Sequence, residues 1–264
     1  VHEGQLAANA LKLMRDDNDP HAYKAHPIRF VETDKRLGCV TSTFTSLTIG
    51  FGETGQNAFR FLYEFSAFAD ADGQQSPARH FIVDRRMNEL GASFCRRTPA
   101  LRTAAGKDVT FIQEDIHTQA FWDRLGSLID LLNYVVIAPG DDESGLALAV
   151  DIWQYAVRHR KDGTNRLGIF VRSYDAENGI VAEIGKPKKE FQDMENSLHR
   201  YTKRMLTDEA YLKEPLPRPE EFSFAPSQDA RHACLVNLSI GEHLRWNASH
   251  YMLGYTGMTE EEQR

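Results

Sequence analysis

Apolar residues in the middle of this chain alternate between short β-rich runs and stripes with helical spacing. Leu47-Thr48-Ile49 forms the first run, and Ala58, Phe59, Phe61, Leu62 and Phe65 follow it as one face of a helix. Further strands are predicted at 80–83, 109–112, 134–138 and 167–171, with a helix over 147–157 before the last of them. Strands that alternate with helices predict a parallel sheet covered on both faces. The expected fold class is therefore α/β, a Rossmann-like doubly wound parallel sheet.

The flanks read differently. Residues 1–43 are expected to form an N-terminal extension: a short helical start carrying Leu6, Leu11 and Leu13, a break over 16–20, and a short strand at 27–31. The sheet-forming unit spans 44–185. Beyond it, 186–264 reads as a small, mainly helical region. A charged helix is predicted over 188–205, and Pro215, Pro217, Pro219 and Pro226 suit an extended linker. A last helix is predicted from 229 to about 253.

The first strand runs directly into Gly50-Phe51-Gly52-Glu53-Thr54-Gly55. In a Gly-x-Gly-x-x-Gly turn the first glycine lets the chain leave the strand sharply. The second lets backbone approach a pyrophosphate, and the third lets the helix pack close to the sheet. The helix N-terminus then offers N–H groups and partial positive charge to phosphates. A bare tight turn would use glycines too, but here an apolar strand precedes them and an amphipathic helix follows.

The acid that accepts from ribose hydroxyls belongs at the end of the second strand, where Asp84 stands. It lies 34 residues after Gly50 rather than about 20, and the polar insertion 70–77 accounts for the excess. Asp84 favours a free 2′-hydroxyl, whereas Arg85 and Arg86 either bind a 2′-phosphate or are solvated surface charges. Asp115, after the third strand, falls at the adenine edge or caps the helix that follows. Pro139-Gly140-Asp141-Asp142 closes the fourth strand at the same carboxyl edge, with Asp142 or Ser144 as alternative helix caps.

With 41% apolar and 26% charged residues, the composition is that of an ordinary globular protein. A net charge of −7 argues against nucleic acid as a partner. No run approaches the roughly 18–20 apolar residues of a membrane span, and no secretory leader is visible, so the expected location is cytoplasmic. Cys39, Cys95 and Cys234 are scattered and form no metal-binding pair, which fits reduced thiols. The first residue is Val1 rather than Met, so the chain is expected to be a processed form or a piece of something longer.

Catalytic signatures are missing. None of the nine tyrosines begins a Tyr-x-x-x-Lys, and no His-Glu-x-x-His, Gly-x-Ser-x-Gly or Walker lysine motif occurs. Among ten histidines only His117 and His243 stand in suggestive places, and surface or capping roles explain both. Binding without turnover is the leading expectation, with a NAD-dependent oxidoreductase as the alternative.

The run 47–55, then Phe81-Ile82-Val83-Asp84, 109–115 and Val135 through Glu143 resembles the TrkA-N (RCK) domains, Rossmann regulators of potassium channels and transporters. The resemblance covers roughly 44–184, and the insertion before Asp84 departs from the family's compact form. It implies that Gly50, Gly52, Gly55, Asp84 and Asp115 contact an adenine nucleotide, NAD(H) or ATP/ADP. Phe51, Glu53, Thr54, Arg85, Ile116, Pro139 and Gly140 complete the candidate set. It also implies a homodimer and a membrane channel or transporter as partner or upstream segment. Glu242-His243-Leu244-Arg245-Trp246-Asn247, with Leu253-Gly254-Tyr255, is similar to the start of the RyR domain. That likeness adds the alternative of a signalling-nucleotide sensor, while an ion pair and core packing one helical turn apart account for the same residues.

Overall fold

A computed structural model describes residues 3–15, 22–101, 108–161 and 166–172, together with 240–242, 244–246 and 248. Its centre is a parallel sheet of β3 (Phe44–Ile49), β4 (Ala78–Val83), β5 (Val109–Ile112), β6 (Tyr134–Ile137) and β7 (Gly168–Val171). The spatial order is β5-β4-β3-β6-β7. The chain builds outward from β3 in one direction, returns, and builds outward in the other. This is a Rossmann-like α/β fold, and its order reverses between β3 and β6.

Side-chain alternation explains why both faces are covered. On β3, Leu47 and Ile49 join Val135 and Ile137 of β6 on one face. They pack there against α4 (Gln119–Leu128) through Phe121 and Leu125, and against α5 (Asp142–His159) through Leu148 and Ile152. The other residues of the same strands, Phe44, Tyr134 and Val136, meet Ala58, Phe61 and Leu62 of α2 (Glu53–Phe65). Leu11 of α1 (Glu3–Leu13) joins that cluster. Further along the same face, Ile82 and Val109 bury Met87 and Phe94 of α3 (Met87–Arg97). β3 and β6 are buried at every position, as strands between two helical layers must be.

The N-terminal extension departs from expectation. Residues 27–31 do not form a strand; Pro27–Phe30 is a single 3₁₀ turn with the proline at its start. Proline's fixed φ and missing N–H suit that position. A small antiparallel ribbon, β1 (Thr33–Asp34) with β2 (Cys39–Val40), follows instead. The extension is fastened to the sheet edge by buried polar contacts. Asn133 accepts from the Thr45 N–H at 2.7 Å and donates to the Phe30 carbonyl at 2.9 Å, while the Tyr134 hydroxyl donates to the Ala25 carbonyl at 2.8 Å.

Two helices also differ from the pattern-based reading. α3 buries only Met87, Gly91 and Phe94, too sparse a stripe to stand out in the sequence. α5 starts at Asp142 rather than 147, because the Asp141 carboxylate accepts from the Ser144 N–H at 2.8 Å. Asp141 is thus the cap, in place of Asp142 or Ser144, and that hydrogen bond holds its carboxyl below the usual range. The predicted helix 188–205 and the proline-rich stretch lie outside the described residues. Of the predicted last helix, residues 240–242, 244–246 and 248 are described, and they are helical. No helix among the described residues is long and apolar enough to cross a membrane.

Candidate functional site

The site is built at the switch point, where the chain leaves β3 and β6 side by side. Open α/β sheets bind ligands in the crevice outside the carboxyl ends of their strands at such a point. Gly50 leaves β3 at φ +84°, a left-handed conformation that suits glycine. A Cβ there would lie 2.3 Å from the Ala138 carbonyl oxygen, the residue that follows β6. The two strand ends therefore touch, backbone to backbone. At Gly55 a Cβ would lie 1.9 Å from the Gly50 carbonyl oxygen, so the first turn of α2 rests directly on the loop.

Gly52 is different. It precedes α2 with φ −64° and ψ −168°, which any residue adopts, and a Cβ there would meet nothing within 4 Å. The protein's own packing requires glycine at 50 and 55 but not at 52. Glu53, beside it, is exposed. Gly52 supplies no side chain to cap α2, and the first N–H groups of any helix lack intrahelical partners. Thr54 is buried, and its hydroxyl finds no hydrogen-bond partner among the described residues. An open backbone approach at a helix N-terminus fits a pyrophosphate, which needs close N–H donors and no intervening side chain.

Phe51 points the other way. Its ring is fully buried, with Phe94 at 5.0 Å and Phe111 at 5.7 Å between centroids. Its N–H donates to Asp84 Oδ2 at 2.7 Å, and its carbonyl accepts from Gln56 Nε2 at 3.0 Å. Arg97 holds that glutamine in turn, donating to Oε1 at 2.7 Å. Phe51 thus anchors the loop through its ring and both peptide groups.

Asp84 stands at the end of β4, half-buried, and does structural work as well. Besides the Phe51 N–H it accepts from the Arg86 N–H at 2.7 Å through Oδ1. Each carboxylate oxygen has a second lone pair, so capacity for ribose hydroxyls remains. Arg86 is paired with Glu89 at 2.7 Å, whereas Arg85 is exposed and has no partner among the described residues. Of the two arginines, Arg85 is the one open to a phosphate.

At the end of β5, Asp115 Oδ1 accepts from the His117 N–H at 3.0 Å and shapes the turn into α4, whose cap position is Thr118. Asp115 therefore sets the turn ahead of that helix without capping it. Ile116 is half-buried against the core, and Glu114 is ion-paired with Arg124. Pro139 is half-buried and Gly140 exposed, with open space where a Cβ would sit. His117 is exposed, and His243 lies outside the described residues. The structure thus brings Gly52, Glu53, Asp84, Arg85, Asp115, Pro139 and Gly140 to the carboxyl edge of one sheet, and turns Phe51 into the core.

A small cleft of about 140 Å³ lies elsewhere, between α1 and α2, beside Lys12, Asn57, Arg60 and Glu64. It is below the roughly 300 Å³ at which small-molecule pockets begin. Among the described residues no group of three or more His, Cys, Asp or Glu side chains is placed to hold a metal ion. No protein-family model matches the chain, and no curated protein matches it.

One buried polar network went unnoticed in the sequence. His80, in β4, is fully enclosed; its Nδ1 lies 2.8 Å from Ser46 Oγ and its Nε2 3.3 Å from Ser66 Oγ. Phe44, Phe59 and Tyr63 surround it. Burial pushes its pKa down to about 3, so it is neutral at ordinary pH. Enclosed in this way, it joins β3, β4 and the C-terminal cap of α2.

Proposed function

We propose that this chain binds an adenine nucleotide, NAD(H) or ATP/ADP, in the crevice between the ends of β3 and β6, as a regulatory module. The observation that carries the reading is Gly52, an open position at the start of a helix where nothing among the described residues excludes a side chain. A pyrophosphate lying on the first turn of α2 accounts for glycine there. Asp84 then takes the ribose hydroxyls with its remaining lone pairs, and Asp115 and Ile116 border the adenine. Arg85 is the cation that a 2′-phosphate would meet.

The regulatory part of the reading rests on the lack of a catalytic motif and on the likeness to TrkA-N domains, which extends it to control of potassium transport. Binding would shift the C-terminal helical region or a partner between two states, only as far as the ligand prefers one of them. Arg245 lies over the Phe65 ring of α2 at 4.7 Å, which gives the nucleotide-bearing helix one contact with the RyR-like segment.

A thermal-shift panel of NAD, NADH, NADP, ATP, ADP and cyclic nucleotides tests the proposal. At a hundredfold excess over Kd, the bound nucleotide is expected to raise Tm by roughly 5 °C or more. A panel in which nothing moves Tm would rule the proposal out. Sustained absorbance change at the nicotinamide wavelength with a substrate would instead establish the oxidoreductase alternative.

A further inference from the structure

Two arginines share the groove between α2 and α3, and both are held by neutral groups. The Arg60 guanidinium, half-buried on α2, lies 5.1 Å from the ring centroid of Phe94 in α3, which is fully buried. Arg97 follows Phe94 by one helical turn and is exposed. Its Nη2 donates to Gln56 Oε1 at 2.7 Å, one turn of α2 before Arg60. Each arginine thus reaches the turn next to the other. Arg60 Nη1 donates to Asn57 Oδ1 at 3.1 Å. Among the described residues neither arginine meets a carboxylate, and Glu64, one turn beyond Arg60, forms no ion pair with it.

The two amides are themselves anchored. Gln56 Nε2 donates to the Phe51 carbonyl and Asn57 Nδ2 to the Glu53 carbonyl, both at 3.0 Å. Their oxygens are thereby turned to the arginines, and both guanidinium forks are set before any ligand arrives, which lowers the cost of binding one. The arrangement is unfavourable while empty. Burial first, and the Arg97 charge second, hold Arg60 below the usual arginine range. A guanidinium keeps its proton at ordinary pH, so titration does not relieve the repulsion. A hydrogen-bonded anion does.

We propose that Arg60 and Arg97 form a binding site for a phosphate group, carried by a small ester or free in solution. Charge and shape select phosphate. A dianion balances two guanidiniums where a carboxylate balances one, and the planar fork of arginine matches two phosphate oxygens at once. Arg60 and Asn57 also line the cleft of about 140 Å³ between α1 and α2, beside Lys12. That space suits a phosphate or a short ester and is small for a nucleotide. The site is separate from the crevice at Gly52. Gln56 stands between the two, with the Phe51 carbonyl on one side and Arg97 on the other.

Isothermal calorimetry of the full 264-residue chain with inorganic phosphate at constant ionic strength tests the proposal. A saturable site with a Kd of about 1 mM or tighter is expected. Arg60→Gln and Arg97→Gln should each weaken it at least about tenfold with unchanged far-ultraviolet circular dichroism. Arg60→Lys keeps the charge and loses the fork, so its affinity should fall between wild type and Arg60→Gln. Gly52→Asp should leave phosphate affinity unchanged. Glycerol phosphate separates the two sources: tighter binding than inorganic phosphate assigns the site to an ester, and equal or weaker binding assigns it to the free ion. No saturable binding, or equal binding by the wild type and both glutamine variants, overturns the proposal. Binding lost in Gly52→Asp but in neither arginine variant would put the ion in the crevice, which overturns this site and leaves the nucleotide reading standing.

Discussion

Adding one methyl group at residue 55 is expected to destabilise the protein by about 3 kcal/mol or more. The Gly55→Ala Cβ would lie 1.9 Å from the Gly50 carbonyl oxygen and 2.9 Å from its carbon, and both are backbone atoms that no rotamer change can move aside. Relief requires α2 to slide off the loop, and that displaces Ala58, Phe59 and Leu62, all fully buried. Gly50→Ala meets the same kind of obstacle, the Ala138 carbonyl oxygen at 2.3 Å, with the added strain of φ +84°. Gly52→Ala is the control: with φ −64° and open space around it, the change is expected to stay within about 0.5 kcal/mol. Urea unfolding separates the three through midpoints at constant slope. Equal stability of Gly55→Ala and Gly52→Ala would contradict the packing described for this turn.

Acid should weaken the fold from pH 6.5 downward, well before most carboxylates titrate. His80 binds its proton at about pH 3 when folded, against 6.5 when unfolded, because the native site removes it from water. Above pH 6.5 neither state is protonated and the residue adds no pH dependence. Below it the unfolded state takes up the proton first, so stability falls by about 1.4 kcal/mol per pH unit until the folded pKa is reached. Over the span from 6.5 to about 3 the total is on the order of 5 kcal/mol. His26, half-buried near Lys12, Arg15 and Arg245, is shifted the same way, chiefly by burial, and adds to the slope. His80→Gln keeps a polar group between Ser46 and Ser66 without titrating. Its stability between pH 6.5 and 5 should be markedly flatter than that of the wild type, and an unchanged slope would mean His80 is reached by solvent.

The sheet was legible because its strands are short apolar runs and α2 presents a clean stripe at 58, 59, 61, 62 and 65. The glycine spacing marked the switch point for the same local reason. What stayed hidden depends on contacts distant in sequence. Asp84 looked like a ribose ligand, and only the fold reveals that the Phe51 N–H, 33 residues away, already uses one of its oxygens. Phe51 looked like part of the phosphate loop, yet its ring completes a cluster with Phe94 and Phe111. His80 reads as one polar residue in a strand until Ser46 and Ser66 close around it. The turn at 27–30 has the sequence of a short strand, because short apolar runs carry no periodicity, and Pro27 is the one local signal against it.

Isothermal calorimetry of NAD and ATP against the wild type and Gly52→Asp addresses the central claim most directly. Aspartate is a favoured helix cap, so the variant's unfolding midpoint should match or slightly exceed that of the wild type. Its carboxylate would also occupy the approach to α2 and repel a phosphate there, so at least one nucleotide that the wild type binds should bind roughly a hundredfold more weakly. Equal affinity in the two proteins, or no binding of either nucleotide to the wild type, would contradict a phosphate cradle at Gly52.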